Sequence, residues 1–137
     1  WIQLNENNLP MDLCVSGMSE HITRRIKDWI KIKAREEMRT RSQNYAKILG
    51  RNINKITVKD TKSRWGSCSS NGNLSFSWRL VFAPEHVLNY VCAHEVAHLV
   101  EMNHSPKFWK NVDLLINDWK KSKKWLKEHG NILHSYG

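Results

Sequence analysis

The sequence predicts an α+β fold in which a small antiparallel sheet packs on a long N-terminal helix and on a second helix. Three patterns support it: residues 20–49 repeat apolar side chains at helical spacing, residues 53–78 alternate as strands do, and residues 84–100 form a second helical stretch. The chain has 137 residues, enough for one core of ordinary size. We therefore predict a single domain over residues 1–137.

The first helix is predicted from its cap, its apolar stripe and its stop signal. Ser19 has the short hydroxyl side chain that helix N-caps favour, and Gly50 suits the left-handed residue that ends many helices. The stripe consists of Ile22, Ile26, Ile30, Ala34, Met38, Tyr45 and Leu49. Because basic residues occupy the opposite side, this stripe is expected to lie on the core.

Three strand-like runs follow the first helix. Residues 53–59 alternate apolar and polar side chains, as a half-buried strand does. Residues 64–68 and 74–78 flank a polar segment that contains Asn71-Gly72, a pair typical of tight turns between strands. These runs predict a hairpin within a small antiparallel sheet.

Further helices are predicted after the sheet. Pro84-Glu85 opens the first of them, because proline suits the first turn of a helix and an acidic residue suits its positive end. Ser105-Pro106 is an N-cap and first-turn pair that starts another helix. The lysine-rich residues 120–127 are expected to form a short last helix around Trp125 and Leu126.

The composition is that of a globular protein with a basic surface. The net charge is +9, and residues 22–50 hold nine basic against three acidic residues. Such a field attracts polyanions, so a nucleic acid partner is one interpretation, and solvated helix faces are the other. No apolar run approaches the roughly 18 residues of a membrane-spanning helix, so no membrane partner is expected. The oligomeric state stays open.

The cysteines indicate a reducing compartment. Cys14, Cys68 and Cys92 are widely spaced, odd in number and form no C-x-x-C pair. Neither a disulfide framework nor a cysteine metal site is predicted from them. We therefore expect free thiols and a cytoplasmic location.

Residues 94–98 read H-E-x-x-H and carry most of the functional information. Four residues turn an α-helix by about 400°, so the two histidines project from one face and can hold one zinc ion together. Glu95 lies at the edge of that face, where it can accept a proton from water held at the metal. His104 follows as a third ligand, although the carboxylate of Glu101 is an alternative at this point.

Other residues are weaker candidates for the same site. Arg64, Arg79 and Tyr90 could stabilise an oxyanion in the transition state, although each of these residue types is more often structural. Tyr90 lies four residues before the first motif histidine and so shares its helix face. Asp113 is a candidate to orient a ligand imidazole.

Linked motifs give the chain a specific family resemblance. They are Arg64-Trp65-Gly66-Ser67-Cys68-Ser69, Asn73-Leu74, Trp78-Arg79-Leu80, the H-E-x-x-H helix, Met102-Asn103-His104-Ser105 and Phe108-Trp109. Over about residues 19–109 the chain resembles the YgjP-like metallopeptidases, which are described as metal-dependent hydrolases related to SprT-like zinc proteases. This resemblance implies a zincin-like fold with Glu95 as the catalytic residue. The zinc ligands that it implies are His94, His98 and His104.

The resemblance also bears on the start of the chain. Members of that family carry β structure ahead of the long helix. Residues 1–17 are therefore expected to be the remnant of an N-terminal β region.

The predicted reaction is hydrolysis of an amide bond in a peptide or protein substrate by water activated at zinc. One alternative is a metal-dependent hydrolase of a small molecule or nucleotide. A cleft dominated by lysine and arginine, with no edge strand beside it, would favour that alternative. The other is a nucleic-acid-associated zinc protein, which a steep salt dependence of DNA binding would favour.

Substrate presentation depends on how residues 73–77 pair. One hypothesis gives this strand a free edge beside the metal, to which an extended peptide adds through backbone hydrogen bonds. The opposing expectation is a strand that lies inside the sheet with both edges paired. The first favours a peptide substrate; under the second, addition of a peptide to this strand fails and a small-molecule substrate gains support.

Overall fold

The computed structural model describes residues 19–61 and 63–134. Within them lie helices α1 (Glu20–Leu49), α2 (Glu85–Ala97), α3 (Pro106–Leu115) and α4 (Trp119–His134), strands β1 (Lys55–Lys59), β2 (Gly66–Cys68) and β3 (Asn73–Ser77), and a 3₁₀ helix (Trp78–Phe82). The predicted α+β class is confirmed. Residues 1–17 lie outside the described part of the chain, so their β structure and the single domain over residues 1–137 stay predictions.

Helix α1 begins and ends at the predicted caps. The Ile22 backbone N–H donates to the Ser19 hydroxyl at 3.2 Å. Gly50 has a left-handed φ of 67°, which lets the N–H of the next residue, Arg51, donate to the Ala46 carbonyl at 2.9 Å. Its buried residues are Ile30, Ala34, Met38, Ser42 and Ala46. Ile22 belongs to the predicted stripe but is 47% exposed, so α1 packs on the core through its later turns. No helix in the described residues is both long and apolar enough to cross a membrane.

The sheet is mixed, which corrects the predicted antiparallel arrangement. Its order is β1-β3-β2, with β1 parallel to β3 and β2 antiparallel to β3. The predicted hairpin is present between β2 and β3, with Gly72 in a left-handed conformation at its turn. Strands that follow one another in sequence usually lie side by side, and the pair β1 and β2 is an exception. Alternation along a strand indicates the strand itself but not the identity of its neighbours.

Strand β3 occupies the centre of the sheet. Leu74 pairs with Ile56 of β1 on one side and with Cys68 of β2 on the other. Leu74 and Phe76 are each only 1% exposed, as befits a central strand under the helices. The hypothesis that residues 73–77 offer a free edge beside the metal is therefore wrong.

A buried 3₁₀ helix follows β3, and the alternation pattern does not predict it. All five of its residues are buried, including Arg79 at 2% exposure. The guanidinium of Arg79 pairs with Asp60 and lies 4.6 Å from the ring centre of Trp78. The Ser77 hydroxyl caps this turn by accepting a hydrogen bond from the backbone N–H of Arg79 at 3.3 Å. The packed turn carries the chain from the sheet into α2.

Helix α4 is longer than the short helix predicted for residues 120–127, since it extends to His134. It packs on the residue that precedes β2: the rings of Trp65 and His134 stack with centroids 3.8 Å apart. Gly130 faces the same indole, where an added Cβ would lie 3.3 Å from the ring. Helix α4 therefore holds Trp65 in place beside α2.

Candidate metal centre and catalytic cleft

The three predicted metal ligands converge in the structure. One ring nitrogen from each of His94, His98 and His104 lies within 4.8 Å of the other two. His94 belongs to the last turn of α2, His98 caps that helix, and His104 lies in the loop before α3. Three imidazoles at this spacing can share one metal ion. Among the described residues, Glu101 is not part of this cluster, so the geometry favours His104 as the third ligand.

The loop between α2 and α3 brings the third histidine back to the first two. The backbone N–H groups of Leu99 and Val100 donate to carbonyls three residues earlier, at 2.9 and 3.1 Å, which tightens the end of α2. The Ser105 hydroxyl then caps α3 by accepting from the backbone N–H of Phe108 at 3.4 Å. His104 is thereby held directly before a capped helix.

Hydrogen bonds orient two of the imidazoles. Nδ1 of His98 lies 3.1 Å from the carbonyl oxygen of Glu101, and Nδ1 of His94 lies 3.1 Å from Oε2 of Glu95. When Nδ1 carries the proton and donates it, Nε2 keeps the lone pair that a metal requires. Burial lowers the pKa of His98, which also favours its neutral ring. This donor set fits zinc, which binds neutral imidazole nitrogen.

The carboxylate of Asp113, a candidate to orient a ligand imidazole, forms its hydrogen bond with an aromatic residue instead. Its carboxylate accepts a hydrogen bond from Nε1 of Trp119 at 2.5 Å. Trp119 in turn stacks on Trp109, with centroids 4.2 Å apart. The aspartate therefore orients an aromatic wall next to the site.

Aromatic side chains of α3 support the histidines. The ring of Phe108 is fully buried and lies 4.4–5.0 Å from all three imidazole centroids. Trp109 lies 5.8 Å from His94 and 6.1 Å from His104. Helical spacing alone marks both residues as core. The sequence signal for their place at the site is the Ser105-Pro106 cap, which puts them in the first turn after the third histidine.

The carboxylate of Glu95 is buried beside the imidazoles, where β2 passes over it. Glu95 is 5% exposed. A Cβ added at Gly66 would lie 2.9 Å from its Cγ and 3.0 Å from its Oε2, closer than ordinary van der Waals contact. Sequence reasoning missed this role of Gly66. A glycine inside a strand is the signal that could have revealed it, because such a glycine often marks a close approach.

A pocket of about 230 Å³ opens beside α2. Its walls are Arg64, Trp65, Gly66, Tyr90, Val91, His94, Glu95 and Leu126. Two of the candidates for oxyanion stabilisation, Arg64 and Tyr90, line it, whereas Arg79 is buried in an ion pair elsewhere. Burial, reinforced by the charge of Glu95, raises the pKa of Tyr90 to about 12, so its hydroxyl keeps its proton at neutral pH.

A second pocket of about 270 Å³ lies at the other end of β2. It is lined by the hairpin turn and by the chain just after α2: Arg51, Asn52, Ser69, Ser70, Asn71, Gly72, His98, Leu99, Val100 and Met102. The first pocket includes the residues before β2, and the second includes the residues after it. The two pockets therefore lie at opposite ends of β2.

A known protein family and two solved structures match the chain. The profile of the family described as YgjP-like, metallopeptidase domain, matches residues 2–129. The metallopeptidase zymogen of Pyrococcus abyssi abylysin has a similar fold, with a TM-score of 0.59, 19% identity, and coverage of 66% of this chain and 93% of that one. The zymogen of Methanocaldococcus jannaschii jannalysin gives a TM-score of 0.55, 20% identity, and coverage of 69% and 96%. No curated protein sequence matches the chain significantly.

Proposed function

Because the chain belongs to the family of YgjP-like metallopeptidase domains, we propose that it is a zinc-dependent peptidase that cleaves peptide or protein substrates. The resemblance drawn from the sequence motifs is thereby confirmed, and so is the zincin-like fold. The observation that carries the proposal is the cluster of His94, His98 and His104 with the buried carboxylate of Glu95 beside it. We assign these histidines as the zinc ligands and Glu95 as the general base.

The position of each residue suits its proposed role. When bound, zinc polarises the scissile carbonyl and makes water more acidic. Glu95 accepts the proton of the attacking water and donates it to the leaving amine. The close approach of Gly66 limits the positions that the Glu95 carboxylate can take, so the base stays aligned with the water.

The position of Glu95 also predicts the direction of the substrate. Since Glu95 hands the proton to the leaving amine, that amine must lie on the side of the metal where Glu95 lies, which is the 230 Å³ pocket. The acyl part of the substrate then extends toward the second pocket, near the hairpin turn. A peptide placed in this way runs antiparallel to β2.

The outer edge of β2 can hold such a peptide through its backbone. The Trp65 carbonyl accepts from the Ser77 N–H at 2.9 Å, and the Ser69 N–H donates to the Asn73 carbonyl at 2.9 Å, so these residues face β3. Backbone groups of alternate residues point to opposite edges of a strand, which directs those of Gly66 to the other edge. Among the described strands none pairs with that edge. We therefore assign the presentation of a peptide to β2 in place of β3, whose two paired edges by themselves favoured a small-molecule substrate.

The cleft also bears on the small-molecule and nucleotide alternative. That alternative called for a cleft dominated by lysine and arginine and for no edge strand. The first pocket contains one cation, Arg64, among mostly apolar walls, and β2 is an edge strand beside it. Both features favour a peptide. A nucleic acid partner for the basic surface stays a prediction, tested by the salt dependence of DNA binding.

The ligand assignment is tested by metal content. Protein purified without chelators should contain close to one zinc per chain by elemental mass spectrometry, and His98→Ala should lose it. His104→Ala should weaken zinc binding strongly, whereas Glu101→Ala should not, because the Glu101 group at the site is its backbone carbonyl. Zinc-free wild-type protein, or an equal loss in both variants, would contradict the assignment.

The base assignment is tested by Glu95→Gln. The amide keeps the shape of the side chain but cannot accept the proton, so turnover should fall by about 10² or more while zinc stays bound. Cleavage is followed by mass spectrometry on a peptide library. Undiminished cleavage by the variant would place the base elsewhere.

A further inference from the structure

The pocket beside Glu95 carries a cation whose position suits substrate recognition. We propose that Arg64 selects substrates with a carboxylate on the residue that follows the cleaved bond, either an aspartate or glutamate side chain or a free C-terminus. This inference rests on the proposed peptidase function and names the substrate class that the site prefers.

Arg64 is a charged side chain that forms no ion pair within the described part of the chain. It is exposed and lines the pocket, yet it takes part in no hydrogen bond through its guanidinium and in no ion pair with any described residue. Arg41 and Arg79, by contrast, each pair with carboxylates of the chain itself. The guanidinium of Arg64 is therefore available to a ligand, while those of the other two are engaged in the fold.

The backbone around Arg64 is held from two sides. The Thr61 hydroxyl donates to the Arg64 carbonyl at 2.7 Å. The next residue, Trp65, is held by its stack on His134 and by its packing on Gly130. An anchored backbone limits the positions that the guanidinium can reach, so the arginine can distinguish one substrate position from the next.

The direction of the substrate places the leaving residue near this arginine. The leaving amine lies beside Glu95, under Gly66, and an antiparallel peptide continues from there toward Trp65 and Arg64. Arg64 lies two residues before Gly66, just outside β2, and lines the same pocket as Glu95. Arg64 is therefore on the side of the site that would hold the side chain or the α-carboxylate of the first residue after the cleaved bond.

The walls of the pocket strengthen a charge–charge contact there. Trp65, Val91 and Leu126 are apolar, which strengthens Coulomb attraction on the inner side of the pocket, while solvent screens the exposed Arg64 on its outer side. The carboxylate of Glu95 in the same pocket disfavours a second anion. Arg64 would offset this repulsion and bind the incoming carboxylate through a planar fork of two N–H donors.

Binding measurements test this selection without requiring turnover. Zinc-loaded Glu95→Gln protein is titrated calorimetrically with acetyl-Ala-Ala-Phe-Glu-Ala-amide and with the peptide in which Gln replaces that Glu. A second pair is acetyl-Ala-Ala-Phe-Leu with a free or an amidated C-terminus. A charge-assisted hydrogen bond predicts that the carboxylate member of at least one pair binds about tenfold tighter or more.

Adding Arg64→Gln should abolish that preference, so that the two members of each pair bind with equal affinity. The matched control is Arg39→Gln, which removes the same charge from an exposed position on α1 and should preserve the preference. A preference confined to the Glu/Gln pair identifies the side chain, and one confined to the Leu pair identifies the C-terminus. Equal affinities within both pairs, or a preference that survives Arg64→Gln, would overturn the proposal. Failure of the peptidase function is separate: wild-type protein with zinc bound would then cleave none of these peptides, whatever their affinities.

Discussion

Gly66→Ala should reduce catalysis while leaving the fold and the zinc site intact. The substitution adds one methyl group on β2 directly above the carboxylate of Glu95. Because Gly66 has no positive φ, alanine can adopt its backbone conformation. The three atoms nearest to the new methyl group all belong to the Glu95 side chain, so among these contacts only that side chain has to move.

The size of the effect follows from the contact distances. The added Cβ would lie 2.9 Å from Cγ of Glu95, whereas ordinary contacts begin at 3.4 Å, so the side chain must move by about half an ångström. A displacement of about 1 Å in an active site can cost about 10²-fold in rate, so we expect kcat to fall about 10- to 100-fold. The glutamate side chain can rotate away, so the overpacking should cost only about 1 kcal/mol of stability, or about 3–5 °C in Tm.

Gly50→Ala provides a control with a matched loss of stability. Gly50 has a φ of 67° and nothing within 4 Å of its added Cβ, so alanine there introduces backbone strain of about 1–2 kcal/mol away from the site. Both variants should lose similar Tm and keep their zinc, but only Gly66→Ala should lose kcat. Full activity in Gly66→Ala, or an equal loss in both variants, would refute the idea that β2 positions the base.

Three further predictions concern charge and titration. Asp60→Asn removes a carboxylate partner of the buried Arg79 guanidinium and should lower the free energy of unfolding by about 1–3 kcal/mol in urea, with zinc content unchanged. The hydrogen bond from Arg41 lowers the pKa of Glu37. This pair therefore stabilises the fold fully above pH 4.5 and loses that contribution as the pH falls below it. Wild type and Glu37→Gln should differ in free energy of unfolding by less than about 1 kcal/mol at neutral pH, and this difference should vanish in acid. Burial and, to a lesser extent, the charge of Glu95 raise the pKa of Cys68 from 9.0 to about 11. Because the thiolate is the reactive form, iodoacetamide should alkylate Cys68 about a hundredfold more slowly at pH 8 than an unperturbed thiol. Peptide mass spectrometry measures this rate.

Local signals in the sequence were sufficient for the starts of helices α1, α2 and α3 and for the shared face of His94 and His98. Ser19 and Gly50 bound α1 because capping depends on hydrogen bonds within one turn. The spacing of His94 and His98 places them on one helix face whatever the helix packs against. His104 joins them because a cap directly after it starts the next helix. Each of these features depends on residues close together in the chain.

Local sequence signals did not predict which distant segments pair with one another. The alternation in residues 53–59 indicates a strand, but it cannot show that β1 lies beside β3 and not beside β2. The length of α4 depends on the packing of Gly130 and His134 against Trp65, about 70 residues earlier. The buried turn at Arg79 depends on a pair with Asp60 and a ring contact with Trp78.

The proposed metal ligands and the proposed general base therefore depend on different parts of the structure. The ligands come from one helix end and one capped loop, so their geometry needs little from the sheet. The base lies on the same helix, but its carboxylate is confined by Gly66, which reaches it only because β2 pairs with β3 and lies on α2. A substrate that adds to the outer edge of β2 would meet the strand that confines Glu95. Binding of the peptide and alignment of the base are then coupled through β2, so changes in this strand should affect kcat and KM together, whereas changes in the loop before α3 should affect zinc binding first.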